Sequence, residues 1–187
     1  DAEMKFLKSQ INPHFLFNTL NNLYGNIIKE RNDQSAEIVT RLSDFMRYSL
    51  ENADRRSIPL QEEIELIKNY IELEKIRLNH VEVSFASDVK QGAQEIPPLL
   101  FIPLLENAFK YTTDKGESEI RISLQEQEEM LNFSIQNSYN PEKGSKESGG
   151  FGLRNLKRRL DLYYPDKHSL KTSKNESVFR ADLRFKL

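Results

Sequence analysis

The chain has 187 residues, 37% of them hydrophobic and 30% charged, a composition that excludes disorder driven by low hydrophobicity or high net charge. Its 27 basic and 29 acidic side chains nearly cancel, so there is no chain-wide basic field to draw nucleic acid or an anionic membrane. The lack of cysteine excludes disulfides, thiolate metal sites and cysteine nucleophiles, and the longest apolar run, Ile96 to Leu105, is broken by Pro97, Pro98 and Pro103 and falls far short of the ~20 residues of a spanning helix.

From Met4 to Ile28 apolar residues recur at helical spacing (Phe6, Leu7, Ile11, Phe17, Leu20, Leu23, Tyr24, Ile27, Ile28), which describes an amphipathic helix with one wide apolar face. The chain opens on Asp1 inside this pattern with no signal-peptide features, so a missing upstream region is expected. Asn32 and Asp33 read as a turn, after which Ile38, Val39, Leu42, Phe45, Met46 and Leu50 repeat the pattern to about Glu51. Two short helices bury too little alone. A hairpin with broad apolar faces is most simply completed by a second copy, giving a four-helix dimer through residues 1 to about 56.

Asn52 to Ser57 is polar and leads into Ile58-Pro59, read as a hinge and as the boundary between a hairpin domain, 1–57, and a second domain, 58–187. Leu60 to Leu78 predicts a third amphipathic helix, whose acidic start suits the helix dipole. Val81 to Phe85, Ile120 to Leu124 and Leu131 to Ile135 alternate with period two, and a short acidic turn joins the last two into a hairpin. Helices are expected around Leu99 to Tyr111 and from Gly152 to Tyr163, the latter after a Gly/Ser/Lys-rich stretch from Asn140 to Gly150. Strands Leu170 to Ser173 and Val178 to Phe185 flank the turn Lys174-Asn175-Glu176 and close an α+β domain.

On the first helix, Gln10, His14, Asn18 and Asn21 or Asn22 form a polar stripe beside the apolar one. A histidine on a helix is usually an ordinary surface residue, so the amide stripe is what singles out His14. A neutral imidazole is a good nucleophile near neutral pH, and side-chain amides within a turn can orient it without competing for the incoming group. The run Asn12-Pro13-His14-Phe15-Leu16-Phe17-Asn18 closely resembles the phosphoacceptor signature of the LytS-type sensor histidine kinases. Leu60-x-Glu62-Glu63 through Tyr70-Ile71-Glu72-x-Glu74-x-x-Arg77 resembles that family's connecting helix. The resemblance implies phosphorylation at His14, and the place of Asn18 one turn later suits orienting a water for dephosphorylation of a regulator.

The segment Ile96-Pro97-Pro98 to Glu106-Asn107-Ala108-Phe109-Lys110-Tyr111 puts Asn107, Lys110 and Tyr111 on one helical face, and resembles the asparagine box of the GHKL-type ATPases. By itself it reads equally as an amphipathic helix with a solvated face. The resemblance implies Asn107 as a ligand of a Mg²⁺ ion that bridges nucleotide phosphates, with Lys110 neutralising phosphate charge. Gyrase and mismatch-repair ATPases carry a water-activating Glu one turn before this Asn, where the present chain has Pro103. Water attack then lacks its base, which favours transfer to a protein nucleophile with Glu106 as base for the His14 attack.

Gly149-Gly150-Phe151-Gly152-Leu153-Arg154-Asn155 opens a helix, where glycines let backbone amides approach a phosphate. A flexible linker explains glycines equally well, but with Lys143 and Lys146 the stretch resembles the family's ATP lid and second glycine box. Gly150, Gly152 and Leu153 thus join Asn107, Lys110, Tyr111 and Asn137 as nucleotide-binding residues. Two positions depart from the pattern of most histidine kinases. Asn137 stands where an aspartate contacts the adenine amine, and Phe15 stands where many relatives place a carboxylate beside the histidine.

The implied fold is α+β: a dimeric four-helix bundle built from the hairpin, followed by an α/β sandwich of the Bergerat ATP-binding type. The implied activity is Mg-ATP-dependent autophosphorylation of His14 and transfer to an aspartate of a response regulator. The implied partners are a second copy and that regulator, with no direct nucleic-acid contact, and the implied location is the cytoplasmic side of a bacterial inner membrane, reached through the upstream region. The alternative reading is a degenerate kinase that binds a partner without ATP turnover. An ATP-driven clamp fits less well because of Pro103.

Overall fold

The computed structural model describes residues 13–52, 54–78, 80–90, 94–112, 118–139 and 151–187. The first two apolar repeats form α1 (Pro13–Ile28) and α2 (Asn32–Asn52), packed together as a hairpin. Asn32 and Asp33 do not form the turn. They open α2, where the Asp33 carboxylate suits the helix dipole. The reversal comes earlier, at Glu30, whose φ of 58° is left-handed, with the Glu30 and Arg31 N–H groups donating back to the Ile27 and Asn26 carbonyls at 3.0 and 2.9 Å. Glycine or asparagine usually marks such a position, and here neither does.

Ile58-Pro59, expected as a hinge, is a short strand, β1 (Ile58–Pro59), paired antiparallel with β3 (Glu95–Ile96). Ile58 and Ile96 face each other and are both fully buried. α3 (Leu60–Lys75) follows at once, with Leu60, Ile64, Ile67, Tyr70 and Ile71 forming its buried stripe.

The remaining strands, β2 (Val81–Asp88), β4 (Ser118–Gln127), β5 (Met130–Ser138), β6 (His168–Lys174) and β7 (Val178–Lys186), make one sheet in the order β2-β4-β5-β7-β6. The expected hairpin is β4–β5, reversing at Glu128 and Glu129, both left-handed. β2 runs parallel to β4, which requires the crossover through β3 and α4 (Ile102–Tyr111). Register aligns Leu124, Phe133 and Leu183 across three strands, and likewise Ile122, Ile135 and Ala181, all buried. One face of the sheet therefore carries the core. Phe101, just before α4, stacks on Phe133 and Phe185 at 4.6 and 6.4 Å between centroids. Each such ring contributes about 1.5–3 kcal/mol relative to exposure. α4 packs on β5 and on α5 (Phe151–Tyr163).

The hairpin joins this core through an aromatic cluster: Phe15 of α1 lies 5.1 Å from Phe45 and 4.8 Å from Tyr70, and Tyr70 meets Phe109 edge-on at 5.9 Å. The opposite side of α1 is left bare, with Phe17, Leu20, Tyr24, Ile27 and Ile28 exposed. No described helix is long and apolar enough to cross a membrane.

Candidate active site

α4 is the short helix on which the proposed site turns, and its start is set by two buried charges. Helix was expected from Leu99, but Leu99 has a left-handed φ of 57° and α4 begins at Ile102. Glu63 of α3, fully buried, accepts from the N–H groups of Leu99 at 2.9 Å, Leu100 at 2.8 Å and Phe101 at 3.4 Å, and from the Tyr48 hydroxyl at 3.1 Å. Arg159 of α5, also buried, donates to the carbonyls of Leu99 at 3.0 Å and Pro98 at 2.5 Å. Burial pushes the Glu63 carboxyl above its ordinary pKa, while the donors from Leu99, Phe101 and Tyr48 and the charge of Arg159 pull it down. Burial is the larger effect and the net direction is upward, while the three backbone N–H groups, which can only donate, favour the ionised form. A left-handed leucine costs about 1–2 kcal/mol. Hydrogen bonds to charged groups contribute about 1.5–3 kcal/mol each, enough to hold the turn.

Glu63 stands in the run that resembles the connecting helix, but neither charge was expected to shape the site. The available signal was a charged residue inside an apolar stripe: Glu63 falls between Leu60 and Ile67, and Arg159 between Leu156 and Leu160.

Leu104, Leu105, Ala108 and Phe109 turn α4 toward the core, leaving Pro103, Glu106, Asn107, Lys110 and Tyr111 on its outer side. Asn107 and Tyr111 are half-buried, and the exposed Lys110 holds its ammonium 5.1 Å from the Tyr111 ring centroid. The helix ends at Thr112, whose N–H and hydroxyl both donate to the Ala108 carbonyl at 3.0 and 2.7 Å and which bridges to Tyr139 beyond β5. That pairing sets the end of α4 beside the end of β5, where Asn137 lies.

Asn137 sits on the inward face between Ile120 and Phe179 and is 1% exposed. Its Nδ2 donates to the Ser138 carbonyl at 2.9 Å, while its Oδ1 is buried with no hydrogen-bond partner. A buried acceptor left unmade costs about 1–3 kcal/mol, so this atom suits a donor such as an adenine amine. At the other end of α4, a Cβ built at Gly152 would meet only the Pro103 Cβ, at 3.9 Å. Packing within the chain therefore does not demand glycine there. Leu153 is half-buried beside it, and Gly150 lies outside the described residues. Among the described residues no group of three or more His, Cys, Asp or Glu could hold a metal. A divalent ion beside Asn107 would accordingly draw most of its ligands from phosphates and water.

His14 falls in the first turn of α1, and its side chain lies outside the described residues. The next residue, Phe15, is the ring stacked on Tyr70, so the position that carries a carboxylate in many relatives is here an anchor to α3. Burial, then the charges of Glu74 and Glu106, push the Tyr70 hydroxyl up. Glu106, on the outer side of α4, is therefore near enough to Tyr70 for its charge to act there. Asn18, one turn after His14, is half-buried.

A family model described as histidine kinase matches residues 2–81. Sensor protein LytS of Staphylococcus saprophyticus is 33% identical over 176 residues, covering 86% of this chain and 30% of its own length. Sensor histidine kinase BtsS of Escherichia coli is 28% identical over 187 residues, covering 98% of this chain and 33% of its own length. The chain thus spans about a third of the length of the curated relatives it matches. The histidine kinase domain of the blue-light activated histidine kinase from Erythrobacter litoralis shares the fold, with a TM-score of 0.54 at 12% identity over 98% of this chain and 91% of that one. Relatives this similar across almost all of its length place the chain in the LytS-type sensor histidine kinase family.

Proposed function

We propose that the chain is the cytoplasmic kinase core of a two-component sensor, which phosphorylates its own His14 from Mg-ATP and passes the group to an aspartate of a response regulator. The observation that carries this reading is the position of α4 between two sets of residues. Its outer side gathers Asn107 and Lys110 between Gly152 and Asn137, while its Phe109 touches Tyr70, on which the neighbour of His14 is stacked. Residues 1–57 serve as the acceptor and dimerisation unit, and 58–187 as the nucleotide unit.

Bound Mg-ATP supplies the γ-phosphoryl group, with the ion withdrawing charge from it. The Asn107 side-chain oxygen would hold the ion, and Lys110, now beside the Tyr111 ring, would neutralise phosphate charge. The backbone amides of Gly152 and Leu153 at the start of α5, together with Gly150 before it, would receive the phosphates. Asn137 Oδ1, buried without a partner, would accept from the adenine amine. A ring nitrogen of His14 attacks phosphorus as the bond to ADP breaks, and Glu106 takes the other ring proton. Asn18 orients the water that later dephosphorylates the regulator.

Incubation with γ-labelled ATP and Mg²⁺ is expected to leave acid-labile, base-stable label on the chain. Steady phosphate release without labelled protein would revive the clamp reading. The relatives, named as a sensor protein and a sensor histidine kinase, lend no support to a module without turnover.

Asn137→Asp is expected to tighten binding of a non-hydrolysable ATP analogue by up to roughly tenfold. A neutral hydrogen bond contributes about 0.5–1.5 kcal/mol and a charged one ~1.5–3, and ~1.4 kcal/mol corresponds to tenfold. GTP gains nothing, because guanine presents a carbonyl at that position. The free variant should also melt lower, since its carboxylate is buried without a partner. Calorimetric affinities unchanged for ATP would remove Asn137 from the adenine contact.

The bare side of α1 is the proposed dimer seam, because a stripe of this breadth is unfavourable in water. In sedimentation equilibrium the parent should show twice its 21.9 kDa mass, and Leu20→Asp with Ile27→Asp should return it to the monomer. A monomeric parent at micromolar concentration would count against the seam.

A further inference from the structure

We propose that Glu63 is a positioning residue for the nucleotide site, tying the start of α4 to the hairpin through the Tyr48 hydroxyl. The proposal rests on the reading of α4 as the nucleotide helix. The turn before α4 is gripped from two sides: its N–H groups point at the Glu63 carboxylate and its carbonyls at the Arg159 guanidinium. Its peptide dipoles thus bridge an anion and a cation. Burying a charge costs desolvation, so buried charged groups often add no stability over apolar residues of similar volume. Four donors converging on one carboxylate are therefore better explained by orientation than by stability.

α4 has ten residues, so a shift of its start carries Glu106 and Asn107 with it. Arg159 lies on the same helix as Gly152, so the grip also relates the two ends of the phosphate-facing surface. The contact with the hairpin is direct. Tyr48 of α2 donates to Glu63 Oε2, the same oxygen that takes the Leu99 N–H, and Leu99 is the left-handed residue of the turn. Displacement of α2 therefore acts on the backbone that starts α4.

The test uses the full chain with two variants, Tyr48→Phe and Glu63→Gln. Two quantities are read: calorimetric affinity for a Mg-bound non-hydrolysable ATP analogue, and the initial rate of His14 phosphorylation at saturating ATP. Tyr48→Phe keeps the ring and leaves Glu63 its backbone donors, so affinity should stay within twofold while the rate falls at least fivefold. Glu63→Gln sets an amide donor against N–H donors and should weaken affinity at least tenfold. Tyr48→Phe reacting at the parent rate, or losing affinity and melting temperature together, overturns the proposal, as does Glu63→Gln binding like the parent. If Glu63→Gln fails to fold, Tyr48→Phe decides alone. A parent that binds no analogue overturns the nucleotide reading itself and this proposal with it, and is recognised before any variant is compared.

Discussion

His14→Gln is expected to abolish acid-labile phosphoprotein while leaving affinity for a non-hydrolysable ATP analogue within twofold of the parent. Glutamine retains good helix propensity but offers no nucleophilic ring nitrogen, so the substitution removes the acceptor and leaves α1 formed. Apart from Gly150, the proposed nucleotide residues lie on α4, β5 and α5, and the aromatic anchor at Phe15 is untouched, so binding has no reason to fall. The other two histidines are poor substitutes. His80 is an exposed residue just before β2, and His168 places Nδ1 2.9 Å from the Tyr164 carbonyl and Nε2 3.4 Å from Asp161. Label that survives the substitution would move the acceptor to one of them and sink the assignment of His14.

Asn107→Ala is expected to weaken Mg-dependent nucleotide binding at least a hundredfold, about 2.8 kcal/mol. Among the described residues no cluster of acids and histidines stands by to take over the ion, so losing the amide oxygen loses the tether between protein and phosphates. The fold should not suffer. Asn107 points away from the Leu104, Leu105, Ala108 and Phe109 stripe, and alanine is the better helix former, so the melting temperature should hold or rise slightly. Titrations of parent and variant with and without Mg²⁺ separate the two effects. An unchanged Mg-dependent affinity would mean that the ion is held elsewhere and that the box has been misread.

The sequence alone determined the elements whose signal is local. Apolar spacing placed the described helices, and period-two alternation found β4 and β5, because these patterns depend only on which faces of a helix or strand must leave water. The same alternation carries on past Ile135 in the structure, where Asn137 faces inward in step with Leu131, Phe133 and Ile135. Motif order was enough to point to the family. Tertiary structure decided whatever depends on a distant partner. Ile58 is a strand only because Ile96 pairs with it, and β2 is parallel only because α4 crosses over before β4. The turn at Glu30 carries no glycine, and Leu99 leaves the helical region because Glu63 and Arg159, far away in sequence, take its N–H and carbonyl. The missing partner of Asn137 Oδ1 and the stacking of Phe15 on Tyr70 are likewise invisible in the chain. Local patterning specifies which face is buried, whereas the identity of what lies against that face is fixed only when the whole core closes.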